Sequence, residues 1–246
     1  MNASVSTLIE LTILNGLGLV SSPLYLFSQF FEGKAIEHLI GPGAKAEYFN
    51  DDRLGRVLDQ LYQRGINEIF VSVAIEAVKI YELEIGTVHL DSSSFSVEGE
   101  YENPGEELEP KVVNITYGCS RDHRPDLKQF MMELICTGDG DVPLWMKIGD
   151  GNESDQKQFA QSMKEFQKPF NLDSLMVADS ALYTQENLEA LRNTKWLSRV
   201  PMKIKAAQNL VQSEDSAQFT SSKTEGYSYR EVGKTYGGIK QIFLNR

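Results

Sequence analysis

The chain has 246 residues, 41% of them apolar, and a formal net charge of −11. That length suits one large domain or two modest ones. The acidity excludes a protein that coats nucleic acid by bulk charge, but it leaves room for a local basic groove.

The apolar opening Val5 to Val20 contains Glu10, lacks a basic leader and is broken by Gly16 and Gly18. It reads as a packed helix followed by a turn at Ser21-Ser22-Pro23, not as an export signal or a membrane span. A soluble, cytoplasmic protein with no membrane partner is expected. Residues 1–82 read as helical. Asp51-Asp52 offers a helix start, with Leu54, Val57, Leu58 and Leu61 on one face and Gly65 as the stop. Asn67 can cap the next helix, whose stripe is Phe70, Val73, Ala74, Ala77, Val78 and Tyr81.

From Ile85 the pattern changes to strands. Thr87 to Val97 alternates, with an interruption at Asp91 to Ser94, and the Glu-rich stretch Glu98 to Pro110 reads as an exposed loop. Lys128 to Thr137 and Val142 to Ile148 are apolar runs joined by Gly138-Asp-Gly-Asp141, a hairpin signal because glycine supplies the positive φ such turns need. Ser154 can then cap a helix with Phe159, Ala160, Met163 and Phe166 on one face. Leu172 to Ala178 is a short strand, Thr184 caps a helix through Leu188 and Leu191, and Trp196 to Val200 is another strand. Gln208 to Glu225 reads as a polar loop. Tyr227 to Val232 and Ile239 to Leu244, separated by Tyr236-Gly-Gly238, read as a second hairpin. Three antiparallel strands followed by alternating helices and parallel strands describe an α/β, ribonuclease-H-like mixed sheet. In that order the first and fourth strands are neighbours.

Two apolar runs, Thr87-Val-His-Leu-Asp91 and Leu175-Met-Val-Ala-Asp179, each end in an aspartate followed by serine. Neighbouring strands would bring Asp91 and Asp179 together. Mg²⁺ favours a few carboxylates completed by water and phosphate oxygens, so such a pair suits phosphoryl transfer on nucleic acid. The competing reading is that each Asp caps the turn after its strand. Ser120-Arg-Asp-His-Arg-Pro-Asp-Leu-Lys-Gln129 concentrates cations and a histidine, which suits a phosphate backbone or a solvated loop with local Arg–Asp pairs. Arg192, Lys195, Arg199, Lys203 and Lys205 form a second basic stretch, either a groove wall or a charged face. His89, Asp91 and His123 make a weaker candidate for a transition-metal site, since His89 lies in an apolar strand where a core histidine is commoner than a ligand. Gly149-Asp-Gly-Asn-Glu-Ser154 lacks the Walker lysine and the spacing of a calcium loop, so it reads as a strand-to-helix turn. Cys119 and Cys136 have no CxxC spacing and read as small buried apolar residues in a reducing compartment.

Several strings carry a resemblance: Leu14-Asn-Gly-Leu-Gly-Leu-Val20, Pro23-Leu-Tyr-Leu26, Asn50-Asp-Asp-Arg-Leu-Gly-Arg56, His89-Leu-Asp-Ser-Ser-Ser-Phe95, Tyr117-Gly-Cys-Ser-Arg-Asp-His-Arg-Pro-Asp-Leu-Lys-Gln129, Gly149 to Ser154 and Val177-Ala-Asp-Ser-Ala-Leu-Tyr183. Together they resemble the DDE transposases of the insertion-sequence-four superfamily, over nearly the whole chain. The resemblance implies an N-terminal helical region (1–82), a ribonuclease-H-like catalytic core (83–206) and the start of a β-rich insertion (207–246). It implies Asp91 and Asp179 as catalytic residues and ligands of Mg²⁺ or Mn²⁺. Arg121, His123, Arg124 and Lys128 are expected at DNA, meaning terminal inverted repeats and target DNA, and a homodimer is compatible with this. The family's third acid, a Glu on a later helix, is expected beyond Arg246, because Glu231 lies in a strand-like segment with the wrong spacing to basic residues. Family members also extend further upstream than Met1, so the chain is expected to be a truncated copy. It is expected to be inactive alone, or else a non-catalytic fragment that binds DNA or full-length transposase and interferes with it. A stand-alone metal-dependent nuclease is a third reading.

Overall fold

Gly140 and Asp141 both take positive φ, 71° and 53°, in the turn that folds strand β2 (Lys128–Thr137) back on β3 (Pro143–Gly149). The hairpin expected from the Gly-Asp-Gly-Asp string therefore forms where glycine makes it cheap. The computed structural model describes residues 4–18, 23–102, 112–120, 122–170, 173–213 and 218–245. Within these the chain divides into two compact units, Met1–Ile69 and Phe70–Arg246.

The first unit is helical. Helix α1 (Val5–Gly16) is capped by Ser4, whose side chain accepts from the Thr7 N–H, and Gly18 follows with φ +77°. Short helices α2 (Phe27–Phe30) and α3 (Ile36–Leu39) lead to α4 (Asp51–Arg64). The cap of α4 is Asn50, which accepts from the Arg53 N–H at 3.1 Å, so the two aspartates sit inside the first turn, where the helix dipole favours them. Leu8, Leu11, Phe27, Phe31, Phe49, Leu54 and Val57 form the core of this unit. Phe31 packs edge-on against both Phe27 and Phe49, with ring centroids 5.4 Å apart in each pair. Helix α5 (Ile66–Tyr81) begins one residue after Gly65. Asn67 is therefore inside its first turn and not its cap.

In the second unit a five-stranded sheet has the order β3-β2-β1-β4-β5, with β1 at Thr87–Val97, β4 at Leu175–Ala178 and β5 at Trp196–Ser198. β1 pairs antiparallel with β2 and parallel with β4, and β4 pairs parallel with β5. Three antiparallel strands followed by two parallel ones, reached through helices, give the mixed α/β, ribonuclease-H-like arrangement. β1 is continuous: the expected interruption at Asp91 to Ser94 does not occur. Each of those residues has a partner on β2, Leu134 back to Met131, and this long pairing overrides the polar run.

One face of the sheet is sealed by α6 (Asp155–Phe170). Its Phe159, Met163 and Phe166 are fully buried against Val88, Leu90, Ile135 and Met176, and α5 adds Val71, Ala74 and Val78. At about 1.5–3 kcal/mol per buried large side chain, this layer is the main anchor of the strands. Pro169 lies one residue from the end of α6, where a missing donor and a restricted preceding residue suit a stop.

The expected loop at Gln208 to Glu225 is a correction. Helix α8 (Lys205–Gln212) covers its start, with Ala207 and Leu210 buried, because the spacing of Ile204, Ala207, Leu210 and Val211 is helical. It follows α7 (Gln185–Ala190), which Thr184 caps as expected by accepting from the Asn187 N–H. The chain closes in a three-stranded sheet of β6 (Thr220–Ser221), β7 (Ser228–Tyr236) and β8 (Ile239–Asn245), its hairpin turning at Gly237 and Gly238. Tyr183, Leu188, Leu210, Ile239 and Phe243 bury this hairpin against the rest of the unit. Among the described residues, no helix is long and apolar enough to cross a membrane.

Candidate active site

The parallel pairing of β1 with β4 runs through Leu90↔Ala178. The next residue on each strand is Asp91 and Asp179, so the two aspartates occupy equivalent positions on strands about 4.8 Å apart. Leu90 and Ala178 are buried toward α6, and alternation turns both aspartates to the other face, where both are exposed. Asp179 ends its strand, as the sequence suggested. Asp91 does not, because β1 continues to Val97 beside β2. The site lies where β4 stops and β1 continues, paired only with β2.

Both carboxylates also hold their own backbone. Asp91 accepts from the Ser92 N–H at 2.8 Å, and Asp179 accepts from the Ala181 N–H at 2.8 Å, capping the short turn Ser180–Leu182. The capping reading and the ligand reading are compatible, since a carboxylate has lone pairs to spare after one such bond. These bonds fix where each carboxylate points. Two exposed oxygen donors fit a hard divalent ion that keeps much of its water. Among the described residues no third acidic, histidine or cysteine side chain joins them to form a metal-binding cluster. His89 is exposed on the same face as Asp91, not a core histidine as expected. His123 does not complete a site with them.

The cationic loop enters at the other end of β1. Lys128 pairs with Val97, six residues along the strand from Asp91, a separation of at most about 20 Å. Arg124 grips Asp126 with two charge-assisted bonds, Nε to Oδ1 at 2.9 Å and Nη2 to Oδ2 at 2.8 Å. The bond from Arg124 holds the Asp126 carboxyl below its ordinary range, and that same bond raises the guanidinium. The Lys128 ammonium donates to the Tyr101 carbonyl. His123 is exposed in the left-handed region, φ 57°, and Arg121 lies outside the described residues.

The sequence reading missed what holds this loop. Thr116 and Gln129 exchange backbone bonds of 2.9 and 3.2 Å, and the buried Gln129 side chain donates to the Gly151 carbonyl at 2.7 Å. The Gly151 N–H donates to Asn114 at 3.0 Å. A Cβ on Gly118 would lie 2.0 Å from the Gly151 oxygen, and one on Gly151 would lie 2.0 Å from the Gln129 oxygen. Both ends of the cationic loop are thus clamped to the β3–α6 turn, and only glycine fits. The recurrent glycines of Tyr117-Gly-Cys and Gly-Asp-Gly-Asn were the available signal. Cys119 is exposed and Cys136 half-buried, and both are free, so the expectation of two buried cysteines fails for Cys119.

A second feature lies beside Asp179. Ser198 on β5 pairs with Ala178 and donates its hydroxyl to the Asp179 carbonyl at 2.7 Å. Beyond it lies a cavity of about 780 Å³ whose walls come from β5, α8 and β8. Tyr183, the residue after the Asp179 turn, donates to Gln241 Oε1 at 2.9 Å, and burial pushes its phenol up to about 12.

The family model described as Transposase DDE domain matches residues 84–240, and the one described as Domain of unknown function (DUF4277) matches residues 1–75. No curated protein matches the chain significantly. Similar solved structures include the Mos1 transposase paired-end complex with left transposon end, at 11% identity over 78% of this chain and 57% of that one, TM-score 0.29. The Mos1 strand transfer complex is 12% identical over 79% and 57%, TM-score 0.29. The Mos1 mariner paired end complex with Mn is 12% identical over 79% and 58%, TM-score 0.29. The chain spans less than three fifths of the length of these relatives. Both aspartates lie inside the match at residues 84–240, which covers well over half of the sequence, and the chain belongs to the transposase DDE domain family.

Proposed function

We propose that the chain acts in DNA transposition, with Asp91 and Asp179 as two carboxylates of a divalent-metal site that cleaves and joins DNA strands at inverted-repeat ends. The observation that carries this reading is the register of β1 and β4, which sets both aspartates side by side on the face away from α6, within a family-matched segment. DDE transposases work with divalent metals, and two exposed carboxylates suit Mg²⁺ or Mn²⁺. An ion held there supplies positive charge for the phosphate oxygens and a bound water or 3′-hydroxyl of lowered pKa. The chain's own part is positional. The Ser92 and Ala181 N–H groups orient the carboxylates before substrate arrives.

His123, Arg124 and Lys128, with Arg121, would contact backbone phosphates away from the cut. At about 3.4 Å per nucleotide, a span of at most about 20 Å corresponds to about six nucleotides. Arg124 would have to exchange Asp126 for phosphate, so this loop positions DNA rather than neutralising it strongly.

The test is nicking of supercoiled plasmid carrying the inverted repeats of the encoding element, in Mn²⁺ or EDTA. Metal-dependent nicking lost in Asp91→Asn and in Asp179→Asn supports the reading; nicking retained in either variant sinks it. A second reading is favoured because, among the described residues, no third acidic side chain clusters with Asp91 and Asp179. On that reading the chain binds DNA or a full-length transposase and interferes with it. It expects end-DNA binding without nicking, and lower transposition by a full-length enzyme when the chain is co-expressed.

A further inference from the structure

The second basic stretch, and not only the loop at 119–128, has a structural setting that calls for a ligand. Resting on the transposition reading, we propose that the cavity beside Asp179 is a binding groove for an unpaired segment of DNA strand, next to the phosphodiester that is cut.

The groove runs between two open sheet edges. β5 is the edge of the five-stranded sheet and β8 an edge of the three-stranded one, and both line the cavity. Its charged lining is Arg192, Lys195, Arg199 and Lys240, with no carboxylate among the described lining residues. This is unusual in a chain of net charge −11. Lys195 is bonded to Asp173, outside the lining. The floor is apolar and open to solvent: Leu197, Ile242 and Leu244 are 43%, 66% and 56% exposed, with Trp196 beside them. Gln241 also lines the groove. Tyr183 donates to its Oε1, and its Nε2 is buried, so this side chain braces the groove wall and does not face the strand.

Cations over an aromatic and apolar floor match single-stranded nucleic acid, whose phosphates meet the charges and whose unstacked bases meet the floor. A duplex hides its base faces and offers nothing to Leu197 or Ile242. An extended peptide could add to either edge as a strand, but that mode uses backbone bonds and has no need of a carboxylate-free cationic rim. Location adds a further argument. Ser198 ties the groove wall to the Asp179 backbone, so a strand lying there leads directly to the proposed metal pair.

The test uses the full chain in EDTA, so that failure of the metal-site reading does not affect it. A 20-nucleotide oligo-dT is titrated while tryptophan fluorescence is followed. Quenching is expected in wild type and in Trp145→Phe, and is expected to vanish in Trp196→Phe. Arg199→Glu with Lys240→Glu should weaken binding at least tenfold and lower the salt slope by about 1.4, for two phosphates at about 0.7 each. A duplex of the same length should neither quench nor respond tenfold to the double variant. The proposal is overturned by quenching that survives Trp196→Phe, by equal effects on duplex and single strand, or by an acidic extended peptide that binds the groove more tightly than the oligonucleotide. Plasmid nicking lost in the aspartate variants while the oligonucleotide fails to quench would remove the groove and leave the metal pair standing.

Discussion

Gly151→Ala places one methyl group where the molecule has no slack. Its Cβ would sit 2.0 Å from the Gln129 carbonyl oxygen and 2.6 Å from that of Thr116, both backbone atoms in a bonded pair. Two responses are open. The 112–118 segment can lift away, losing the two Thr116–Gln129 bonds, the Gly151-to-Asn114 bond and the Gln129-to-Gly151 bond. At about 1 kcal/mol net each, that costs about 4 kcal/mol. Alternatively the strain stays in place, at about 1–3 kcal/mol for overpacking. The cheaper route sets the result, about 1–3 kcal/mol, or about 2–12 °C in the melting temperature of a unit this size. Gly55→Ala is the matched control: Gly55 is inside α4 with nothing within 4 Å of its would-be Cβ, so a gain of about 0.5–1 kcal/mol is expected. Calorimetric melts of both variants give the answer. A Gly151→Ala melt within about 2 °C of wild type would refute the clamp.

Three further outcomes follow from single groups. Tyr183 is raised to about 12 in the folded chain, so the unfolded phenol ionises first, near 10. Its contribution is complete below pH 10 and is lost as pH rises toward 12, about 1–2 kcal/mol after screening; the stability gap between wild type and Tyr183→Phe in urea melts should shrink by that much across the window, and a constant gap would count against it. Burial raises the Cys136 thiol, whereas Cys119 is exposed; iodoacetamide at neutral pH should label Cys119 first by mass spectrometry, and equal rates would contradict the burial argument. A millimolar Mn²⁺ site at the aspartate pair should stabilise wild type by about 1.4 kcal/mol at tenfold excess over its dissociation constant, a rise of about 3–6 °C that Asp91→Asn abolishes; an unchanged rise in that variant would move the ion elsewhere.

Strand order and the neighbouring aspartates were legible because periodicity reports which face is buried. The β2–β3 turn, the α6 stripe and the β4 strand each had a clean pattern, and antiparallel pairs followed by crossovers left few topologies. The misreadings share a physical cause. Asp91 to Ser94 looked like a break because four polar residues are poor strand formers, yet pairing along all of β2 holds them extended. Helix α8 was hidden by its polar face, since only the Ile204, Ala207, Leu210, Val211 spacing marks it. The Gln129 clamp could not be read at all. It joins segments more than twenty residues apart, and a glycine in sequence does not say which carbonyl has come close to it.

Charge was also misread when taken in bulk. The segment from 98 to 110 carries six glutamates and no cation, while 192 to 213 carries five cations and no carboxylate. The chain therefore keeps its two signs apart, and the net value of −11 describes neither part. On the proposed role in DNA transposition this separation has a consequence. An acidic whole suppresses indiscriminate association with duplex, which scales with phosphates neutralised over a broad surface. On that reading a short cationic run beside Asp179 would still raise the local concentration of a strand at that one place. Arg124 and Lys128, by contrast, are engaged by Asp126 and by the Tyr101 carbonyl. The cations that most resemble a DNA motif in the sequence are thus the more restrained ones. Of the second basic stretch, which the sequence left open as a groove wall or a charged face, Arg192, Lys195 and Arg199 line the cavity beside Asp179. If the groove takes a strand, charge reversal at Arg199 and Lys240 should reduce end-DNA nicking more than reversal at Arg124.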